Sequence, residues 1–123
     1  MDSEFVKYVV GDLLGAMPNI RAKAMFGGHG IYQGETIFAI IVDDELYYKV
    51  GDLNRPDFES HGSEPFRYTV KGKKPVTMSY WKLPAEIMDD RPALEEWTEK
   101  AIRVAQMAQR PQKRSQTINK RNT

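Results

Sequence analysis

A glycine-dense turn that runs directly into an apolar segment constrains the fold of this chain more than any other feature. The turn covers residues 26–30, and an acidic turn follows the apolar segment at residues 43–45. Segments rich in Ile, Val, Phe and Tyr that are joined by short connections are typical of antiparallel hairpins. We therefore predict a three-stranded antiparallel meander, with strands over residues 25–33, 36–42 and 46–50.

Helical periodicity flanks the sheet-forming segments at both ends of the chain. Phe5, Val9 and Leu13 share one face of a predicted first helix that ends near Ala16. Pro92 suits the first turn of a predicted final helix. That helix carries one apolar stripe: Leu94, Trp97, Ala101, Val104 or Ala105, and Ala108.

A short helix and a second hairpin are predicted between the meander and the final helix. The helix falls within residues 52–62 and has Phe58 as its inward residue, and the hairpin strands cover residues 66–71 and 75–81. Alternation along these strands predicts one buried apolar face and one exposed polar face. The apolar face carries Phe66, Tyr68, Val70, Val76, Met78 and Tyr80, and the polar face carries Arg67, Thr69, Lys71, Thr77 and Ser79.

The predicted order of elements is α-β-β-β-α-β-β-α. Because each connection between strands is hairpin-short or holds only a minor helix, the sheet should be antiparallel. We predict an α+β fold of two layers, in which a five-stranded antiparallel sheet carries the N- and C-terminal helices on one face. A chain of 123 residues without cysteine is the usual size of one domain and has no disulfide framework.

Charge divides the chain into two parts. Residues 1–109 hold 13 of the 18 Lys and Arg residues and all 17 Asp and Glu residues, whereas residues 110–123 hold five bases and no acid. A segment this polar cannot bury enough surface to offset the entropy of ordering. We predict a domain over residues 1–109 and a disordered basic tail over residues 110–123. The acidic N-terminus and short apolar runs favour a cytoplasmic protein that does not enter a membrane.

Several motifs occur in a fixed order between Arg21 and Ala105. They are Met25-Phe26-Gly27-Gly28-His29-Gly30-Ile31-Tyr32, Phe38-Ala39-Ile40-Ile41, Asp44-Glu45-Leu46-Tyr47-Tyr48-Lys49-Val50, Asn54-Arg55-Pro56-Asp57-Phe58, Pro65-Phe66 and Val76-Thr77-Met78-Ser79-Tyr80. In this order they resemble the TfoX N-terminal domain family. The resemblance implies an antiparallel α+β layer like that of type III secretion chaperones. It also implies a part in competence: full-length TfoX, also called Sxy, works with the cyclic-AMP receptor protein and carries a further C-terminal helical domain.

The glycine segment itself has two interpretations. Its backbone amides could converge on an anion. However, the segment lacks the Lys-Ser/Thr of a P-loop, and strand residues rather than a helix follow it. We interpret Phe26, Gly27, Gly28 and Gly30 as a structural motif, where a bulge or a close approach of backbones requires glycine.

The two histidines, His29 and His61, have neither the short spacing nor the cysteine neighbours that are typical of a metal site. Nothing in the spacing brings either of them to a nucleophile and an orienting partner. We therefore predict no catalytic residue, no metal, no cofactor and no enzymatic activity. An enzyme with a pocket near His29 is the least favoured alternative.

The remaining candidates form a predicted interaction surface. It consists of a basic cluster in the otherwise acidic body, together with a tryptophan on the same wet face: Arg67, Lys71, Lys73, Lys74 and Trp81. The turn at Pro84 could instead cover the tryptophan. We predict a module that binds a protein partner or a second copy of itself, and that serves regulation of transcription or competence. The alternative is weak nucleic-acid binding through the basic hairpin at residues 71–74 and the tail.

Overall fold

The computed structural model describes the backbone of residues 4–25, 27–68, 72 and 76–122. Within these ranges it describes the side chains except those of Tyr68, residues 76–78 and residues 109–122.

The described residues form six strands, four α-helices and one π-helical segment. In chain order these are α1 (Glu4–Tyr8), the π-helical segment (Val9–Leu13), β1 (Ile20–Met25), β2 (Gly28–Gln33), β3 (Thr36–Val42), β4 (Glu45–Lys49), α2 (Arg55–Ser60), β5 (Pro65–Tyr68), β6 (Val76–Lys82), α3 (Ala85–Met88) and α4 (Arg91–Asn122).

The strands form a single sheet in the order β1-β2-β3-β4-β6-β5, and each neighbouring pair is antiparallel. Helix α4 packs on β3 and β4, and the first helix joins the same hydrophobic core. The predicted α+β fold, with an antiparallel sheet and terminal helices on one face, is confirmed. The sheet has six strands rather than five, because residues 20–25 form an additional strand that pairs along β2.

The stripe predicted on the last helix forms one side of the core. Leu94, Trp97, Ala101 and Ala105 are buried on α4, whereas Ala108 at the end of the stripe is exposed. The opposite side of the core comes from the sheet, where the ring centroids of Phe38 and Tyr48 lie 5.9 Å apart, edge to face.

The first helix widens into a π-helical turn, which differs from the straight helix that we predicted. The amide of Leu14 donates to the carbonyl of Val9 at 2.9 Å, five residues earlier. This wider turn lets Val9, Leu13 and Leu14 all face the core. Arg91 then donates to the carbonyl oxygens of Asp12 and Leu13, each at 3.1 Å, and so satisfies acceptors that the end of a helix leaves open.

Tyr80 is buried and Arg67 and Ser79 are exposed, as predicted for the two faces of the second hairpin, but the helices do not lie on the face that we expected. Trp81 pairs with the fully buried Tyr48, so it lies on the face that carries the helices, half-buried and 6.3 Å from the ring of Phe58. Tyr80 and Phe66 lie on the opposite face. The alternation of side chains along a strand assigns them to two faces but does not tell which face the helices cover. We predicted that the helices cover the face of Phe66 and Tyr80, and this prediction was wrong. Residues 69–71 of the predicted faces lie outside the described residues.

The backbone of α4 continues as a helix to Asn122, through the segment for which we predict a disordered basic tail. The side chains of residues 109–122 are outside the described part of the chain, and the division into a domain over residues 1–109 and a tail stays a prediction. In the described residues, no helix combines the length and the apolar character that a membrane crossing requires.

A buried hydrogen-bond chain links the sheet to α4. Thr98 Oγ1 donates to the carbonyl of Leu94 at 2.6 Å, so the hydroxyl of Tyr48 donates to Thr98 Oγ1, also at 2.6 Å. Burial raises the pKa of Tyr48 above its ordinary value of about 10, and the hydrogen bond with Thr98 offsets only part of this rise. The folded state therefore keeps this phenol neutral at a pH where the unfolded chain ionises.

We expect this phenol to make the domain less stable at alkaline pH. The neutral phenol contributes fully to the free energy of unfolding below about pH 10, the pKa of tyrosine in the unfolded chain. Above that pH this contribution falls by about 1.4 kcal/mol per pH unit. The measurement is chemical unfolding from pH 8 to 11 for the wild type and Tyr48→Phe. The variant should be less stable at pH 8 by about 1 kcal/mol, because it loses a hydrogen bond, but it should lose stability less steeply above pH 10.

The other shifted groups are common to both proteins and cancel in this comparison. Burial raises the pKa of Tyr80 and of Tyr47, which adds to the alkaline loss of stability. Burial lowers the pKa of Lys49, which acts in the opposite direction. Equal slopes for the wild type and Tyr48→Phe would show that the Tyr48 phenol does not control the alkaline loss.

Candidate interaction surface

The face of the sheet opposite the helices, here called the open face, carries a mixture of aromatic, aliphatic and basic side chains. Most of them alternate with buried residues along the strands, but Tyr80, at 8% exposed, is itself buried. The described members are Arg21, Lys23, Met25, Tyr32, Ile37, Ile40, Val42, Glu45, Tyr47, Lys49, Phe66, Tyr80 and Lys82.

A groove of about 610 Å³ lies at one end of this face, where β6 ends and β5 begins. Its walls come from the start of α3 and from the loop between α2 and β5. The groove is lined by Tyr47, His61, Gly62, Ser63, Glu64, Pro65, Phe66, Arg67, Lys82, Leu83, Pro84, Ala85 and Glu86.

An aromatic pair forms the apolar part of the groove. The ring centroids of Tyr47 and Phe66 are 4.9 Å apart and meet edge to face. Leu83, which is fully buried, also lines the groove, and Pro65 and Pro84 supply further apolar surface. Burial, followed by the nearby charge of Glu45, raises the pKa of the Tyr47 phenol, which therefore stays a neutral hydrogen-bonding group at physiological pH.

Two ion pairs involve charged residues of the groove. Lys82 Nζ lies 2.8 Å from Glu45 Oε1, and this hydrogen bond and charge raise the pKa of Lys82. Arg67 Nη1 lies 3.6 Å from Glu64 Oε1. Because both pairs are largely exposed, each contributes at most about 1 kcal/mol to stability. The groove can exchange these contacts for contacts with a partner at little cost.

A second arrangement, here called the tyrosine strip, crosses the middle of the open face and consists of Arg21, Tyr32, Lys49 and Tyr80. The Arg21 guanidinium carbon lies 4.7 Å from the ring centroid of Tyr32, and Lys49 Nζ lies 5.2 Å from that of Tyr80. Besides burial, the charge of Tyr32 raises the pKa of Tyr80, which indicates that the two phenols are neighbours. The strip therefore alternates cations and aromatic rings.

The structure separates the residues that we predicted as an interaction surface. Arg67 is exposed and lines the groove, whereas Trp81 packs against Phe58 on the helix-bearing face. Lys71, Lys73 and Lys74 lie outside the described residues, and their role stays a prediction. The prediction missed the two tyrosine sites, although tyrosines that alternate with buried residues along β2, β4 and β6 were a usable signal.

The glycine segment lies at the hairpin turn between β1 and β2. Phe26 is outside the described residues, and Gly27 has a positive φ of 77°. A Cβ on Gly28 would collide with the carbonyl oxygen of Ile41, and a Cβ on Gly30 would lie 2.9 Å from Ile37 Cδ1. This geometry favours the structural interpretation of the segment.

The two histidines are in different environments. His29 lies within β2 opposite Ile41. His61 follows α2, with its ring edge-on to Trp97 at 5.1 Å and its Nδ1 3.0 Å from the carbonyl oxygen of Asp57. In the described part of the chain, His, Asp and Glu side chains form no cluster of three or more that could hold a metal ion.

Comparison with known proteins supports the resemblance seen in the motifs. A family model described as the TfoX N-terminal domain matches residues 12–105. Over 71 residues the chain is 31% identical to DNA transformation protein TfoX1 of Aliivibrio fischeri, an alignment that covers 58% of this chain and 33% of that relative. The aligned region is thus about a third of the relative's length. Because the family model matches well over half of the sequence, the chain belongs to the TfoX N-terminal domain family.

Proposed function

We propose that this chain is a non-enzymatic module that binds a protein partner through the groove and takes part in the regulation of competence. The link to competence rests on the family and on the name of a relative, DNA transformation protein TfoX1. The observation that carries the binding role is the Tyr47–Phe66 pair in the groove.

The composition of the groove favours a polypeptide as the occupant. Tyr, Phe and Arg are enriched at the centres of protein interfaces, and the groove places Tyr47, Phe66 and Arg67 side by side. Its lysine and its arginine are already paired with carboxylates. A polypeptide can fill the apolar part of the groove and leave these pairs in place.

Site-specific photo-cross-linking in the source organism tests the binding role. A benzoylphenylalanine at position 67 should give an adduct with a second protein, because this position lines the groove. The matched control carries the same group at position 7, which is an exposed lysine on α1, away from the groove. Equal adducts at both positions, or none at position 67, would contradict the proposal.

A complementation experiment tests the link to competence. Transcripts of DNA-uptake genes should fall when the gene for this chain is deleted, and the wild type should restore them. Phe66→Ser and Arg67→Glu should fail to restore them, since loss of a central interface residue weakens binding by about 2 kcal/mol or more, roughly thirtyfold. Tyr8→Ser, at a tyrosine 43% exposed on α1, is the control that should restore them. Unchanged transcripts in the deletion strain would overturn the regulatory role.

A further inference from the structure

We propose that the edge strand β1 (Ile20–Met25) binds an acidic, extended segment of a protein partner as a seventh strand of the sheet. β1 lies at one edge of the sheet, whereas the groove lies near the other edge, where β6 ends and β5 begins. The edge of β1 therefore offers a contact that is independent of the one proposed above.

Half of the backbone groups of β1 face away from β2. The amide of Gly34 donates to the carbonyl oxygen of Asn19 at 3.0 Å, and hydrogen-bonded pairs recur at every second residue of an antiparallel ladder. Ile20, Ala22 and Ala24 occupy the intervening pairs. Their N–H and C=O groups point to the outer side of β1, where no further strand pairs in the described part of the chain. Such a row of donors and acceptors is a template for strand addition.

The opposite edge of the sheet is less suited to strand addition. β5 spans only four residues, Pro65–Tyr68, and its first residue has no N–H to donate. β1 spans six residues and contains no proline. The longer row of backbone donors therefore lies on β1.

The side chains of β1 give its edge a positive charge. Arg21 and Lys23 are exposed on the open face, and neither forms an ion pair with another described residue. Arg21 lies over the ring of Tyr32 and donates to the carbonyl oxygen of Gly34, two neutral contacts that leave its charge uncancelled. Opposite charges on facing residues stabilise a pair of strands. We therefore expect carboxylates in the partner strand opposite Arg21 and Lys23.

The same cations disfavour pairing between two copies of this chain. If the outward residues of two antiparallel β1 strands paired, the cations between them would also face one another. In the central registers, Arg21 would lie opposite Lys23 of the second copy, or one cation would lie opposite its own counterpart. Like charges in this position are destabilising, and basic side chains on an edge commonly prevent self-pairing. The charge of the edge thus favours a different chain as its occupant.

The other face of β1 favours apolar side chains in the partner. Ile20 and Ala22 are half-buried against the core, and Ala24 is small and exposed. The partner residues between the carboxylates would lie on this side, where apolar side chains bury surface against these three residues. The fitting segment alternates acidic and apolar residues.

Fluorescence anisotropy with a labelled nine-residue peptide in which Glu and Val alternate tests the proposal. The wild type should bind it, and a peptide with Lys in place of Glu should bind roughly tenfold more weakly or less. The double variant Arg21→Glu/Lys23→Glu should reverse this preference. Lys7→Glu/Arg103→Glu makes the same charge change at exposed positions on the helices and should leave it unchanged.

N-methylated peptides test whether the contact is a strand ladder. The valines of the peptide lie opposite the outward residues of β1, so their amides donate to the edge. N-methylvaline at these positions should abolish binding, whereas N-methylglutamate, whose amides face away, should retain it.

Hydrogen exchange measured by NMR identifies the strand that is used. The amides of Ile20, Ala22 and Ala24 should exchange fast in the free protein and become protected with the peptide. The amides of Arg21 and Lys23, which are bonded to β2, should be protected in both states. This alternating pattern is specific to strand addition at β1.

Controls separate this edge from the groove. Phe66→Ser should abolish the groove adduct and leave peptide binding unchanged, so the two proposals fail independently. Circular dichroism confirms that each variant is folded, and the N-methyl comparison needs only the wild type.

Four results would each overturn the proposal. These are no saturable binding by the wild type up to about 1 mM peptide, equal affinity for the glutamate and lysine peptides, equal affinity for the N-methylvaline peptide, and protection that appears on β5 instead of β1.

Discussion

Replacement of Phe58 by alanine is expected to lower the free energy of unfolding by about 3–5 kcal/mol, the usual cost of removing a fully buried phenylalanine. Phe58 is the buried residue of the short helix α2. Its ring centroid lies 4.7 Å from that of Trp97 and 6.3 Å from that of Trp81, so it joins α2 to both α4 and the sheet. Such a loss is a large part of the 5–15 kcal/mol by which domains are stable.

The effect should reach the groove, because the loop that follows α2 forms one of its walls. His61 and Ser63 lie directly after the helix and line the groove. We expect Phe58→Ala to lose the cross-link from position 67 even at a temperature at which the protein remains folded. Urea unfolding measures the stability, with Phe58→Leu, which should cost less than about 1.5 kcal/mol, as a conservative comparison.

Leu53 offers a matched control for this experiment. It precedes α2 but is 41% exposed, and its replacement by alanine should change stability by less than about 0.5 kcal/mol. If Phe58→Ala and Leu53→Ala were equally mild, α2 would not depend on its buried ring, and the proposed anchoring of the groove wall would fail.

The hydrophobic pattern of the sequence was sufficient to predict most of this fold, but it did not predict strand β1 (Ile20–Met25). The segment contains Arg21, Ala22, Lys23 and Ala24, which have little intrinsic preference for a strand. It is a strand because β2 pairs along its full length. Tertiary pairing of this kind overrides local propensity, and a single sequence carries no direct trace of it.

The candidate surfaces depend on pairings that local sequence does not specify. Tyr47 meets Phe66 because β6 lies between β4 and β5 and pairs with both. We expected Trp81 on the exposed face, but its register opposite Tyr48 places it with the core. Alternation therefore predicted which side chains share a face, whereas the order and register of the strands decided what that face contacts.

The glycine segment provides a second large effect, because its residues are expected to differ sharply from one another. Gly28→Ala should destabilise the domain by about 1–3 kcal/mol, since the new methyl group would collide with the Ile41 carbonyl oxygen on the neighbouring strand. Backbone atoms in a paired sheet cannot move aside as a flexible side chain can. β2 and β3 must therefore separate locally, at the cost of hydrogen bonds between them.

Gly27→Ala tests whether the same turn requires a residue with a positive φ. Nothing lies within 4 Å of a Cβ at this position, but its φ of 77° is unfavourable for alanine by about 1–2 kcal/mol. Gly11→Ala, also without neighbours within 4 Å but without a positive φ, is the control and should be neutral or stabilising by up to about 1 kcal/mol. Urea unfolding ranks the three variants. If Gly28→Ala were as stable as Gly11→Ala, close packing would not explain this glycine, and the anion-binding interpretation of the segment would have to be tested by titration with phosphate.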